Sequence, residues 1–250
     1  MSNVVALIPA RYGSKGIPNK NFRRLVAGVL SPVDLAIRCA EYAKVPAIVV
    51  TTDASARVVP GRASQETLRI LKRPAEFAQD DTPMIDVVKH ALQEISGPPD
   101  QIIVLLQPTQ PLRTPAHVQA AIALLQETQA DSVVSVVQLP PTHSPAVVME
   151  ITDEGRLKPW RWLYEYCGEE WETIPTTRQT TRSAYMRDGT AYCFWRRTVE
   201  RYSNIYGQDV RPLIISPDDT CSLDTLVDWA EAERRLRERE AHELDDISTT

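Results

Sequence analysis

Fourteen consecutive residues near the N-terminus, Ile8-Pro9-Ala10-Arg11-Tyr12-Gly13-Ser14-Lys15-Gly16-Ile17-Pro18-Asn19-Lys20-Asn21, are of the types that grip phosphate. Gly13 and Gly16 allow a tight loop whose backbone N–H groups can turn toward phosphate oxygens. Arg11 can fork onto a phosphate, while Lys15 and Lys20 supply compact point charges. The loop is not a Walker A motif, which closes on Gly-Lys-Ser/Thr, and it is not G-x-G-x-x-G. Charge along the chain points the same way. Residues 1–33 contain Arg11, Lys15, Lys20, Arg23 and Arg24 and no acidic residue, a charge of +5, whereas the other 217 residues together carry −10. A basic loop on an acidic body suits a small polyanion such as a triphosphate better than a nucleic-acid surface.

Such a loop needs a rigid platform, and the hydrophobic pattern supplies one. Val4-Val5-Ala6-Leu7-Ile8, Ala47-Ile48-Val49-Val50-Thr51, Ile102-Ile103-Val104-Leu105-Leu106 and the Val-rich stretch 132–137 read as strands buried on both faces. Between them, 31–44, 85–95 and 116–129 read as helices, the first starting at Ser31-Pro32, where proline fits the opening turn. Strands alternating with helices predict an α/β fold with a mostly parallel sheet and helices on both faces. Ligands bind such sheets at the carboxyl ends of the strands. Chemistry is therefore expected at 11–21, at Asp53, and at 107–113. Asp53 is left open between capping the turn that follows it and a part in the site.

From about Leu139 the pattern breaks. Pro140, Pro141 and Pro145, then Trp160, Trp162 and Trp171 (three of the five tryptophans), predict an inserted lobe over about 139–188, a lid or dimerisation element. Thr190 to Trp195 and Leu213-Ile214-Ile215 return to the sheet. Eleven of the sixteen residues from Glu231 to Asp246 are charged, and Glu231/Arg235 and Glu233/Arg237 sit at helical i,i+4 spacing. One domain over 1–236 and a charged, solvated tail over 237–250 are expected.

The composition excludes several classes. With 250 residues, 43% hydrophobic and 24% charged, the chain can bury a core and is not disordered. A net charge of −5 argues against a general nucleic-acid or membrane-surface binder. No apolar run approaches 18 residues, so no bilayer span is expected, and without a basic, apolar leader a cytoplasmic protein is expected. Cys39, Cys167, Cys193 and Cys221 form no C-x-x-C pair. They read as buried thiols, and His90, His117, His143 and His242 as surface imidazoles.

The first loop resembles the signature of the N-acylneuraminate cytidylyltransferases, also called CMP-sialic acid synthetases. Similar stretches follow in order: Thr51-Thr52-Asp53, Arg73-Pro74-Ala75-Glu76-Phe77-Ala78, Asp80-Asp81-Thr82-Pro83, and Leu106-Gln107-Pro108-Thr109-Gln110-Pro111-Leu112-Arg113. Arg178-Gln179, Asp188-Gly189, Tyr192 and Ser222-Leu223-Asp224-Thr225 complete the set. The resemblance implies a Rossmann-like nucleotidyltransferase fold with a protruding dimerisation segment, hence a homodimer. It further implies CTP and a 2-keto sugar acid as substrates, Mg²⁺ as cofactor, and a CMP-sugar and pyrophosphate as products. By the same resemblance Arg11, Gly13, Ser14, Lys15, Lys20 and Asn21 hold the triphosphate, with Lys20 on the leaving pyrophosphate and Asn21 on a nearby oxygen. Arg73, Asp81 and Thr82 surround base and ribose, while Gln107 and Thr109 meet the sugar. Arg178 is expected on the sugar's carboxylate or else in a surface salt bridge. Tyr185, Asp188 and Tyr192 wall the sugar pocket, and Asp224 holds the metal.

Three positions depart from the family pattern. Ser222 stands where the first carboxylate of an Asp-x-Asp metal site is usual, so Asp224 must serve with the triphosphate alone. Asp188 stands where an Asn precedes the Gly, exchanging a donor for an acceptor. Residues 26–32 lack the usual Gly-Lys-Pro-Leu. A sibling enzyme with another sugar acid or base, or a catalytically silent nucleotide binder, therefore stands beside the main reading.

Overall fold

Val4–Pro9 (β1) is apolar and buried from end to end, as a strand covered on both faces must be. In the computed structural model, which describes residues 3–14, 16–25, 30–53, 67–160 and 183–248, β1 lies inside a seven-stranded sheet. Along the chain it is followed by α1 (Pro32–Tyr42), β2 (Ala47–Thr52), β3 (Leu68–Lys72), α2 (Met84–Glu94) and β4 (Ile102–Leu105). Then come α3 (Pro115–Thr128), β5 (Ser132–Gln138), the short strands β6 (Met149–Ile151) and β7 (Leu157–Pro159), and β8 (Tyr185–Trp195). The chain closes with α4 (Arg196–Tyr202), β9 (Val210–Ile215) and α5 (Leu226–Ser248).

The sheet order is β3-β2-β1-β4-β8-β5-β9. All neighbours pair in parallel except β8, which runs antiparallel to both β4 and β5. The α/β fold with a mostly parallel sheet expected above is therefore present, with one reversed strand. That reversal matters for the site. Leu105 at the end of β4 pairs with Tyr192, so residues 185–189 of β8 project past it, toward the edge where the parallel strands end.

Each face of the sheet packs its own core. Val4, Ala6 and Ile8 bury against Val33 and Ile37 of α1 and Val118 and Leu125 of α3. Val5, Leu7, Ile103 and Leu105 bury against Val88, Ala91 and Leu92 of α2 and Val199 of α4. α1 starts where Ser31 predicts: its hydroxyl accepts from the Asp34 N–H, and the Asp34 carboxylate accepts from the Ser31 N–H at 2.9 Å. α3 starts on a matching box between Thr114 and His117, with Pro115 in the first turn.

A third core is smaller and joins the two ends of the sequence. Ile17, Leu25 and Leu30, from the loop after β1 and the segment that leads to α1, pack with Leu223, Trp229 and Ala232. Thr225 and Asp228 form the capping box that starts α5. The Thr225 N–H donates to Asp228 Oδ2 at 2.7 Å, and the Asp228 N–H to Thr225 Oγ1 at 3.2 Å.

Several details differ from expectation. β3, the hairpin of β6 and β7, and α4 are not among the expected elements. β3 is an edge strand with mostly half-exposed or exposed side chains, so it carries no continuous apolar run. Helical backbone continues to Ser248, with the expected pairs in place at 2.6 Å (Arg235–Glu231) and 3.2 Å (Arg237–Glu233). Cys39 and Cys193 are buried, and burial pushes the Cys39 thiol up to about 11. His117 is no surface imidazole: it lies with Nε2 3.5 Å from Asp219 Oδ2, and desolvation holds its pKa below the ordinary value. Lys15, Cys167, Trp162, Trp171 and Arg178 lie outside the described residues.

Candidate active site

A cavity of about 220 Å³ opens at the carboxyl edge of the sheet. Arg11, Ser14, Lys20 and Asn21 from the first loop line it, with Arg73 after β3, and Gln107, Pro108 and Thr109 after β4. Seven residues singled out from the sequence thus meet on one wall, though they come from three separate βα junctions. Pro9, from the same fourteen-residue stretch, also lines it, and so does Met84, which was not anticipated. Met84 opens α2 directly after Pro83, which only the chain's path could reveal.

The loop is built by its own polar side chains. Asn21 Nδ2 donates to the Arg11 carbonyl at 2.9 Å, so the amide expected on a phosphate oxygen closes the loop upon itself. Asp53 Oδ1 accepts from the Tyr12 N–H at 2.7 Å. Its carboxylate therefore tethers the loop that follows β1; the turn after Asp53 lies outside the described residues. Arg11 makes an ion pair with Asp80.

Two polar atoms in the wall are buried and, among the described residues, unpartnered: Ser14 Oγ and Arg73 Nε. Leaving such donors unpaired is costly, of the order of 1–3 kcal/mol each, and a ligand that supplies an acceptor recovers it. The rest of Arg73 is firmly held. Nη2 donates to Thr51 O at 2.9 Å and to Thr51 Oγ1 at 2.8 Å. Burial lowers its pKa to about 10, with Asp53 opposing the shift and Arg11 adding to it, so the guanidinium stays charged at neutral pH.

Two lining residues, Lys20 and Thr109, bond to the segment before α5. Lys20 Nζ donates to the Leu223 carbonyl at 2.7 Å and lies 3.2 Å from Asp224 Oδ1. The Ser222 hydroxyl donates to Asp224 Oδ2 at 2.8 Å. Ser222, at the position where the resemblance leads one to expect the first carboxylate of Asp-x-Asp, thus orients Asp224 instead. The Leu223 N–H bonds Thr109 O at 3.0 Å, joining the segment to the β4 loop. Asp228, behind it, is raised by burial but lowered more by the N–H and hydroxyl donors of Thr225, the Asp224 N–H and nearby Lys20, so it stays ionised.

Gly16 is the point of closest approach. A Cβ there would stand 2.9 Å from the Asp224 carbonyl, a backbone atom that cannot step aside cheaply. Gly16→Ala is expected to lower unfolding stability by about 1–3 kcal/mol in urea titration, the usual cost of overpacking. Gly13 by contrast faces open space.

On the β8 side, Asp188 is buried. Its carboxylate accepts from the Thr190 N–H at 3.1 Å and from the Thr190 hydroxyl. Gly189 has φ +81°, and the Gln107 side chain lies where its Cβ would stand. Arg113 is buried with Nε on Thr190 O and Nη2 on Gln107 O, which folds the 107–113 loop around one guanidinium.

Other expected residues sit elsewhere. Asp81 is exposed and does not line the cavity; Thr82 Oγ1 donates to Glu76 O at 3.3 Å and holds a turn. Tyr192 is 9% exposed and belongs to the core on the α2 face, its ring 6.5 Å from Tyr206. Pairing with Leu105 and Val134 places it there. Tyr185 is exposed where β8 begins, opposite Gln138. Among the described residues no three His, Cys, Asp or Glu cluster as a metal cage.

A family model described as cytidylyltransferase matches residues 5–150. The chain is 29% identical over 240 residues to a CMP-N,N'-diacetyllegionaminic acid synthase of Legionella pneumophila, covering 93% of this chain and 96% of that one. It is 31% identical over 156 residues to an N-acylneuraminate cytidylyltransferase of Escherichia coli O18:K1:H7, covering 61% of this chain and 35% of the relative. It therefore spans about a third of that longer protein. A solved CMP:2-keto-3-deoxy-manno-octonic acid synthetase complexed with CTP superposes with a TM-score of 0.61 at 18% identity, covering 95% of this chain and all of the other.

Proposed function

Because this chain belongs to the cytidylyltransferase family, we propose that it activates a sialic-acid-like 2-keto sugar acid with CTP, giving a CMP-sugar and pyrophosphate. One observation carries the reading. Cationic and unpartnered polar groups from the first loop and from Arg73 line one cavity with Gln107 and Thr109 at the sheet's carboxyl edge.

In this reading Arg11, Ser14 and Lys20 hold the phosphate tail, and Arg73 donates toward the nucleoside end. Gln107 and Thr109 position the sugar acid, so that its anomeric hydroxyl attacks the α-phosphorus in line with the departing pyrophosphate. The O–P bond to pyrophosphate breaks as the new one forms, and the hydroxyl proton is lost to solvent or a nearby base. Little covalent work falls to the protein; positioning and charge neutralisation supply the rate. Lys20 stands where charge builds on the leaving group.

Mg²⁺ is proposed as the cofactor. Asp224 offers an exposed carboxylate beside Lys20, a donor set that suits an ion ligated mainly by phosphates and water. When bound, the ion would neutralise phosphate charge. Asp224 would hold it, with Ser222 keeping the carboxylate turned.

A homodimer in the cytoplasm is proposed as well. Val147, Val148, Ile151, Leu157 and Trp160 are large, apolar and exposed around the β6–β7 hairpin, a surface suited to a second copy. Among the described residues no helix is long and apolar enough to cross a membrane.

The test is a pyrophosphate-release screen of four nucleoside triphosphates against a panel of 2-keto sugar acids. Turnover is expected with CTP and a nonulosonic acid. Release with another pair alone would transfer the reading to a sibling reaction, and CTP binding with no turnover on any acid would mark a silent binder.

A further inference from the structure

Resting on the nucleotide reading above, we infer that Asp80 is a latch on Arg11, a carboxylate that holds the guanidinium while the cavity is empty and must release it when phosphate enters. Arg11 lines the cavity, yet it is ion-paired with Asp80. The two side chains are 28% and 33% exposed, so the pair is within reach of an incoming anion. Asp80 rides on the short turn between the helical turn Ala75–Phe77 and α2, outside the sheet, where exchange costs little packing.

Electrostatics supply the reason for such a pair. Arg73, locked on Thr51, lies close enough to Arg11 for the two cations to repel. Asp53 is already committed to the Tyr12 N–H. Asp80 thus provides the counter-charge that Arg11 needs when no phosphate is present. A polyphosphate arriving on Arg11 both replaces that charge and repels the carboxylate. Every phosphate ligand that takes Arg11 bears the same cost of opening the pair. The latch therefore lowers affinity for substrate and products alike, which eases product release at the expense of a higher KM.

Calorimetric titration of wild type, Asp80→Asn and Asp80→Glu with CTP, CMP and pyrophosphate tests this at several salt concentrations. Asp80→Asn is expected to bind all three about two- to tenfold more tightly, the range that a half-exposed pair plus relieved repulsion supports. Its affinity should also fall more steeply with salt, because Arg11 no longer exchanges one partner for another. In turnover, KM for CTP falls and kcat does not rise. Asp80→Glu keeps the charge and should stay near wild type. Unchanged or weaker binding by an Asp80→Asn protein that unfolds as wild type does would overturn the latch and leave the nucleotide reading standing. A wild-type protein that binds neither CTP nor pyrophosphate would overturn both.

Discussion

Lys20→Ala will lower kcat for pyrophosphate release by at least about a hundredfold, and Asp224→Ala will do the same, which is the loss expected when a preorganised charge is removed from a developing anion. Lys20 is well placed for this. Its ammonium is fixed by the Leu223 carbonyl at 2.7 Å and by Asp224 at 3.2 Å, and its side chain is only 18% exposed. In the proposed reaction it would therefore meet the leaving group without first being ordered. Lys20→Arg separates positioning from charge. If charge alone mattered, the arginine would restore most of the rate, whereas loss of the carbonyl anchor leaves it well below wild type. Near-normal turnover in both alanine variants, measured at saturating CTP and acid, would remove these residues from the reaction.

The second large effect is on stability. Leu223→Ala should cost about 2–5 kcal/mol, read from urea or thermal unfolding, the span found for buried leucine truncations. Leu223 is fully buried among Ile17, Leu25, Leu30, Trp229 and Ala232. Its backbone works in both directions, accepting from Lys20 and donating to Thr109. A cavity behind it loosens three parts of the site together, so CTP affinity should fall even well below the unfolding temperature. A variant that loses stability yet binds CTP as wild type does would uncouple this small core from the phosphate loop.

The contrast between these residues and others shows what a sequence discloses. Strands β1, β2 and β4 were legible because burial on both faces demands unbroken apolar runs, and the site followed because parallel strands end on one edge. Arg11 and Gln107 each stand just beyond such a run, whereas Arg73 follows β3, which has none. What escaped depends on pairing and on the path of loops. Asp80 and Asp81 are adjacent carboxylates of equal chemistry, and only the fold of the turn puts Asp80 on Arg11 and leaves Asp81 in solvent. Tyr192 has the right residue type for a pocket wall, but its register opposite Leu105 and Val134 turns it into the core. The grip of Lys20 on Leu223 spans 203 positions and leaves no local trace.

The reversed strand β8 has a bearing on how such proteins diversify. β5 ends and β8 begins at the sheet's carboxyl edge, so the connection between them starts and finishes on the side where the cavity opens. Lengthening or rewriting it costs only slowly growing loop-closure entropy and disturbs no interior strand. In the proposed reaction the acid acceptor could thus be exchanged while the phosphate grip, built on the loops after β1 and β3, stays as it is: one half of the reaction would be welded to the scaffold and the other interchangeable.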